Sequence, residues 1–122
     1  MVNLNSSVLV VDDEENLLVL LDRVLSKEGY QVKTAIDGYE ALEFLDENDI
    51  SVALIDIRMH PIDGIALLAE IKKRSPSTHV VMMTSRPTAE TESLCIEYGA
   101  IDYFTKPLDL QKLKIALRGL VG

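Results

Sequence analysis

Five polar side chains stand at or just beyond the ends of short apolar runs of the sequence. They are Asp12, Asp13, Asp56, Thr84 and Lys106. The run before Asp56 is rich in β-branched residues, which favours a strand buried on both faces. A carboxylate at the end of such a strand is costly unless another group pairs with it. Asp56 is therefore the first candidate for a functional residue.

Three carboxylates, one hydroxyl and one ammonium form a specific chemical set if they meet at one site. Carboxylates that share a small pocket raise one another's pKa values, and a hard divalent cation relieves that repulsion. Mg²⁺ prefers oxygen ligands and typically uses one or two carboxylates together with a phosphate. Lys106 would hold a phosphoryl oxygen as a point charge, and Thr84 would donate a hydrogen bond to another. One carboxylate would remain free to attack phosphorus.

The elements that must position these residues follow from the spacing of apolar side chains. Strands are predicted at residues 8–11, 31–35, 51–56, 80–84 and 101–105, and a helical pattern follows each of them. Asp37 is expected to cap the second helix, Asp63-Gly64 to start the third, and Gly29 and Gly99 to end the first and fourth. The fourth helix, after Pro87, has the weakest pattern because residues 88–93 are polar.

Alternation of five strands with five helices predicts an α/β fold. It is a doubly wound parallel sheet with helices on both faces and right-handed crossovers. In such a sheet, residues that end the first, third, fourth and fifth strands converge at one edge. The five polar side chains are therefore expected to lie together.

Length and charge narrow the classes of function. The chain has 122 residues, which predicts one domain over residues 1–122, and its formal charge is −8. So acidic a domain favours metal cations or a basic partner and argues against direct contact with nucleic acid. Cys95 is the single cysteine and has no partner for an internal disulfide. Residues 1–7 lack the features of a leader peptide, and no apolar run approaches the ~20 residues of a membrane span. A cytoplasmic protein is expected, with no membrane contact.

Several short motifs follow one another along the chain, most of them at the ends of the predicted strands. They are Val11-Asp12-Asp13-Glu14, Asp56-Ile57-Arg58-Met59 with Asp63-Gly64, Thr84-Ser85, Gly99-Ala100-Ile101-Asp102-Tyr103 and Lys106-Pro107. With these motifs the chain resembles the receiver domains of response regulators in two-component signalling, the CheY-like superfamily, along nearly its whole length. The resemblance implies a flavodoxin-like sheet with strand order 2-1-3-4-5. It also implies a signalling domain that catalyses only its own phosphoryl transfer and dephosphorylation, not an enzyme in the usual sense.

The resemblance implies a role for each site residue. Asp56 would be the phosphoacceptor, taking a phosphoryl group from a histidine kinase or phosphotransfer protein. Asp13 and Asp56 would ligate Mg²⁺ directly, together with the backbone carbonyl of Arg58, and Asp12 would act through water. Thr84 and Lys106 would bind the phosphoryl oxygens.

The resemblance also implies a switch and an output surface. Tyr103 would turn inward when Asp56 is phosphorylated, and Thr84 would move towards the phosphoryl group. The surface of the fourth helix, fifth strand and fifth helix would change, and homodimerisation or docking of an output domain or partner would follow. The Lys106-Pro107 peptide bond is expected to be cis.

One position departs from the family pattern. The family usually places a proline directly after the methionine of this loop. Here His60 stands at that position and Pro61 follows it, although the spacing from Asp56 to Asp63-Gly64 is kept. Mg²⁺ does not favour imidazole, so His60 is interpreted as a loop residue.

Three other functions deserve comparison with the receiver interpretation. A haloacid-dehalogenase-type phosphohydrolase needs a general-acid aspartate two residues after the nucleophile, where this chain has Arg58. A flavodoxin-like nucleotide binder needs a glycine- or hydroxyl-rich loop after the first strand, where four consecutive acids would repel phosphate. An interaction module that works without phosphorylation is the third alternative, and only phosphorylation chemistry can test it.

Overall fold

Ten regular elements alternate between strand and helix in the described part of the chain. The computed structural model describes residues 6–121, so most of the N-terminal stretch in which no leader peptide was expected lies outside the described residues. The strands are β1 (Ser7–Val11), β2 (Gln31–Ala35), β3 (Val52–Asp56), β4 (His79–Thr84) and β5 (Asp102–Thr105). The helices are α1 (Glu15–Lys27), α2 (Gly38–Glu47), α3 (Gly64–Arg74), α4 (Ala89–Glu97) and α5 (Leu110–Val121).

The strands form one parallel sheet. Their order is β2-β1-β3-β4-β5, which confirms the predicted topology. β3 lies in the centre between β1 and β4, and all five of its residues are buried. The order of strands reverses direction between β1 and β3, so a crevice opens at their carboxyl ends.

The sheet divides the apolar core into two layers because successive side chains of a strand point to opposite faces. Leu9, Val11, Ala53 and Ile55 face α2, α3 and α4. The alternate residues Val8, Val10, Val52 and Leu54 face α1 and α5. Cys95 is buried in the first layer, as expected of a small apolar residue.

Local signals at the helix ends behave as their chemistry predicts. Asp37 accepts a hydrogen bond from Glu40 N at 2.9 Å, and Asp63 accepts one from Ala66 N at 2.8 Å. Both side chains therefore cap the helices that follow them. Gly29 and Gly99 have φ values of 100° and 104°, the left-handed conformation in which glycine commonly follows a helix.

The structure differs from the sequence predictions at a few boundaries. The fourth helix runs from Ala89 to Glu97, because Thr88 caps it rather than starting it. β5 begins at Asp102, one residue later than predicted, since Ile101 is exposed and only its N–H pairs with the sheet, at the Val80 carbonyl. Lys106-Pro107 is cis, as expected, and His60-Pro61 is also cis, which the sequence did not indicate.

The helices within residues 6–121 were compared with the length and hydropathy that a membrane span needs. None of them is both long and apolar enough to cross a bilayer.

Candidate functional site

The alternation of the strands decides which predicted residues share a face at the carboxyl edge of the sheet. Asp12 continues the alternation of Val8 and Val10, and Asp56 continues that of Val52 and Leu54. Both carboxylates therefore emerge on the side of α1 and α5. Lys106 continues the alternation of Phe104, which packs in the same layer. These three side chains meet because of strand register alone.

Three carboxylates converge at this edge. One oxygen from each of Asp12, Asp13 and Asp56 lies within 4.8 Å of the others, a spacing at which they could hold one metal ion. Asp12 is fully buried and Asp56 is 6% exposed, whereas Asp13 is exposed. The site is therefore buried on the side of Asp12 and Asp56 and open to solvent on the side of Asp13. The predicted acidic cluster is present.

Lys106 joins two of the carboxylates. Its Nζ lies 2.5 Å from Asp12 Oδ2 and 3.5 Å from Asp56 Oδ2. Burial by itself lowers the pKa of Lys106, but the hydrogen bond and charge of Asp12, with the charge of Asp56, outweigh that effect and raise the pKa above its ordinary value. The ammonium therefore stays charged, and it binds Asp12 more closely than Asp56.

Asp12 and Asp56 are held differently. Asp12 uses both carboxylate oxygens, accepting from Glu14 N at 2.9 Å and from Lys106. Asp56 accepts only a long bond from Arg58 N, 3.4 Å, beside the 3.5 Å approach of Lys106. Burial and then the Asp12 charge raise the pKa of Asp56, against the lowering effect of Lys106. Asp56 is thus the less firmly bound carboxylate and the better placed to react.

Thr84 ends β4 on the opposite layer of the sheet and is 1% exposed. Its Oγ1 accepts a hydrogen bond from Arg86 N at 3.0 Å, so the hydroxyl proton remains available to an incoming oxygen. Lys106 N donates to the Thr84 carbonyl at 2.8 Å, which fixes the start of the loop after β5 against the end of β4. No contact joins the Thr84 hydroxyl to the carboxylates in the described part of the chain.

In the loop from β3 to α3, the backbone at Gly64 packs closely against the backbone of Asp56 and Ile57. A Cβ on Gly64 would lie 2.1 Å from the Asp56 carbonyl oxygen and 2.6 Å from Ile57 Cα. Gly64 N donates to the Ile57 carbonyl at 2.8 Å. Only glycine fits here, so Gly64 fixes the backbone of Asp56. The Asp63-Gly64 motif was noted in the sequence, but this role was not foreseen.

Tyr103 lies apart from the carboxylates, on the layer that also holds Thr84. It is half-buried against the α2–α4 side of the core, and its Oη lies 3.0 Å from Thr91 Oγ1 in the first turn of α4. Sequence reasoning did not anticipate Thr91, because nothing along the chain marks a contact between residues twelve positions apart on different elements. His60 is exposed in the β3–α3 loop, as expected.

An apolar cavity of about 460 Å³ adjoins the acidic cluster on the α1 and α5 side. Four leucines supply most of its apolar wall, and Lys106 lies at the boundary to the carboxylates. The lining consists of Leu17, Leu20, Leu108, Leu110, Pro107, Glu14, Ser85 and Lys106. Leu20 is 43% exposed although it is a large apolar residue. The site thus combines a charged pocket with an adjoining apolar surface.

Residues 8–118 match the family model described as the response regulator receiver domain. The chain belongs to the response regulator receiver family. The receiver interpretation of the sequence is thereby confirmed, and so is the expected fold.

This receiver domain is similar in sequence to longer regulatory proteins and in structure to solved receiver domains. It is 40% identical over 113 residues to the transcriptional regulatory protein ZraR of Escherichia coli K12, covering 93% of this chain and 26% of ZraR. It is similar to a CheY-like receiver domain protein of Methanospirillum hungatei, with 27% identity, a TM-score of 0.91, and coverage of 94% and 92% of the two chains.

A third similarity bears on the acidic cluster. The response regulator TrrA of Thermotoga maritima, solved in complex with Mg²⁺ and BeF, is 30% identical with a TM-score of 0.85. The match covers 94% of this chain and 98% of TrrA. The cluster of Asp12, Asp13 and Asp56 is consistent with a Mg²⁺ site. The chain spans about a quarter of the length of the first curated relatives it matches.

Proposed function

We propose that Asp56 is the phosphoacceptor of this receiver domain. The observation that carries the proposal is the buried Asp56 carboxylate, which lies within 4.8 Å of two further acids and 3.5 Å from the Lys106 ammonium. Such a site binds a dianionic phosphoryl group only if cations offset the acids. Asp56 is also the least firmly hydrogen-bonded acid of the buried pair, so its lone pairs are available for attack on phosphorus.

The donor set fits Mg²⁺. Asp13 and Asp56 would hold the ion directly with the backbone carbonyl of Arg58, and Asp12 would act through water. All of these ligands are oxygens, as a hard cation prefers. Bound there, Mg²⁺ would neutralise the carboxylates and the negative charge of the phosphoryl oxygens.

In the proposed transfer, an Asp56 oxygen attacks the phosphorus of a phosphohistidine. The new O–P bond forms as the P–N bond breaks, and the histidine nitrogen keeps the electron pair of the broken bond. Lys106 has ammonium hydrogens beyond the one directed at Asp12, and it would hold one phosphoryl oxygen. The Thr84 hydroxyl would donate to another.

The donor is proposed to be a histidine kinase or phosphotransfer protein that docks over the apolar cavity beside Lys106. Leu17, Leu20, Leu108 and Leu110 supply apolar contact next to the reacting carboxylate. A bulky protein donor gains affinity from such a surface, whereas a small phosphate donor does not need it. The family relation supports a cytoplasmic location and a receiver unit that spans residues 1–122.

Phosphorylation is proposed to act through Thr84 and Tyr103 on the surface of α4, β5 and α5. Ile96, Tyr98, Ile101 and Ile115 are large apolar residues exposed on this surface. An exposed apolar patch of this kind suits a protein partner, either a second copy or an output domain. The longer relatives are named as transcriptional regulators, and a corresponding output is part of this proposal.

The test is phosphate uptake from acetyl phosphate, followed by intact mass. Wild type is expected to gain one phosphate in Mg²⁺ and none with chelator, and Asp56→Asn to gain none. Asp63→Asn is the matched control, because Asp63 is exposed, belongs to the same loop and caps α3, a role that asparagine also fills. Uptake that survives Asp56→Asn, or that ignores the chelator, would refute the assignment.

A further inference from the structure

A small group of hydroxyls joins β5 to the start of α4. Thr88 caps α4, and its Oγ1 accepts from Thr91 N at 3.0 Å. Thr91 Oγ1 in turn accepts from Thr88 N at 3.3 Å, so the two threonines close a reciprocal capping box. Tyr103 Oη lies 3.0 Å from Thr91 Oγ1. A side chain of β5 thus enters the cap of a neighbouring helix.

The Thr91 hydroxyl has three oxygens within hydrogen-bond distance. The Thr88 carbonyl lies at 3.1 Å, Thr88 Oγ1 at 2.9 Å and Tyr103 Oη at 3.0 Å. A hydroxyl has one proton, so when Thr91 donates it to either Thr88 oxygen, Tyr103 is the donor of the bond to Thr91. Replacing Tyr103 by phenylalanine removes this hydrogen bond and leaves the ring in place.

Helix α4 has little else to hold its first turn. Cys95 is its one buried residue, and it lies in the second half of the helix. The residues of the first turn, Ala89 and Glu90, are exposed, as is Glu92 beyond it. Segments with few buried contacts open locally at low cost. The capping hydroxyls are therefore a large part of what keeps this turn closed.

We propose that Thr91 is a positioning residue that couples the orientation of the Tyr103 ring to the closure of the first turn of α4. The inference rests on the proposed function, in which Thr84 moves towards the phosphoryl group and Tyr103 turns inward. Tyr103 is paired with Met82, two residues before Thr84, on the same layer of the sheet. When the ring turns along this layer, its hydroxyl leaves Thr91, the cap loses that hydrogen bond, and the first turn opens more often.

The amide of Glu92 reports this opening. It donates to the Thr88 carbonyl at 3.0 Å, the hydrogen bond that closes the first turn. The amide of Leu113 is the internal reference, because it makes the equivalent 3.0 Å bond to the Asp109 carbonyl in α5. Hydrogen exchange of both amides is measured by NMR in wild type, Tyr103→Phe, Thr91→Val and Thr91→Ser.

In chelator, Tyr103→Phe is expected to speed exchange of the Glu92 amide roughly three- to tenfold, the range for loss of one hydrogen bond, and to leave Leu113 unchanged. Thr91→Val should speed it at least as much, and adding Tyr103→Phe to that variant should change nothing further. Thr91→Ser keeps the hydroxyl and should restore slow exchange. Wild-type exchange in Tyr103→Phe would overturn the inference.

The second part of the experiment measures the exchange of the same amides in the activated protein. With Mg²⁺ and beryllium fluoride, exchange of the Glu92 amide in wild type should rise to the level of Tyr103→Phe, and Tyr103→Phe should show no further rise. An equal rise in both proteins, or none in wild type, would overturn the coupling. Phosphate uptake on Asp56 is measured on portions of the same protein preparations without beryllium fluoride. If uptake is normal, only the inference has failed, whereas its absence in wild type means that the proposed function has failed too.

Discussion

Replacing Gly64 by alanine tests whether the loop after β3 holds Asp56 in position. The added Cβ would lie 2.1 Å from the Asp56 carbonyl oxygen, and Cβ atoms essentially never approach within 3.0 Å. The two segments must therefore separate by about 0.9 Å. Overpacking of this kind costs about 1–3 kcal/mol. Weakening the bond from Gly64 N to the Ile57 carbonyl adds about 1 kcal/mol. We expect the free energy of unfolding to fall by about 2–4 kcal/mol.

The chemistry should suffer more than the fold. A displacement near 1 Å at a reacting group can cost about 100-fold in rate. Since the separation acts on the backbone of Asp56 itself, the rate of phosphate uptake from acetyl phosphate should fall by about that factor under conditions where the variant is still folded. Urea unfolding gives the stability, and intact mass against time gives the rate.

Gly119→Ala is the matched control. Gly119 lies within α5, and a Cβ there would meet nothing within 4 Å. Alanine should therefore stabilise the helix, by up to about 1 kcal/mol, and leave the rate of phosphate uptake unchanged. If Gly64→Ala were as stable as wild type and took up phosphate at the same rate, the close approach would not position Asp56.

Three further predictions concern the charges of the site. In chelator, Asp56→Asn should be more stable than wild type at pH 7, because burial and then the Asp12 carboxylate raise the pKa of Asp56. The charged form then destabilises the fold above that pKa, so the difference should shrink as pH falls through it; equal urea midpoints at every pH would contradict this. Mg²⁺ at a hundred times its Kd should raise the free energy of unfolding by about 2.7 kcal/mol, and Asp13→Asn should remove most of that gain, whereas an undiminished gain would exclude Asp13 as a ligand. Arg58→Ala and Arg86→Ala should each shorten the lifetime of phosphorylated Asp56. Both residues are exposed, their backbone N–H groups bond the side chains of Asp56 and Thr84, and neither guanidinium forms an ion pair among residues 6–121. Unchanged or slower decay would mean that the two arginines do not shield the phosphoryl group.

The fold could be predicted from the sequence because the apolar run of each buried strand stops at a polar residue. That residue marks the carboxyl end of the strand. The run before Asp56 is apolar on both sides, which indicates a central parallel strand, and β3 is the central strand. Asp37 and Asp63 marked helix starts through a local interaction with their own backbone. Signals of this kind depend on neighbours in the chain, so the sequence alone carries them.

Other features depend on tertiary packing and could not be predicted. The sequence does not tell which of Asp12 and Asp13 is buried, nor that Lys106 binds Asp12 more closely than Asp56. The bond from Tyr103 to Thr91 depends on how far α4 lies from β5. It remains a prediction that Asp13, Asp56 and the backbone carbonyl of Arg58 coordinate Mg²⁺ directly.

The alternation of side chains along the strands has a consequence for engineering this domain. Asp12 and Asp56 reach the same side of the sheet because each lies an even number of residues after Val8 in β1 or Val52 in β3, which face that side. Inserting or deleting one residue within either strand would turn its carboxylate towards α3 and α4, away from Lys106. The turns that precede β2 and β3 lie at the opposite edge, where a longer loop costs little. Insertions are therefore expected to be tolerated in those turns and to abolish the site when they fall inside a strand.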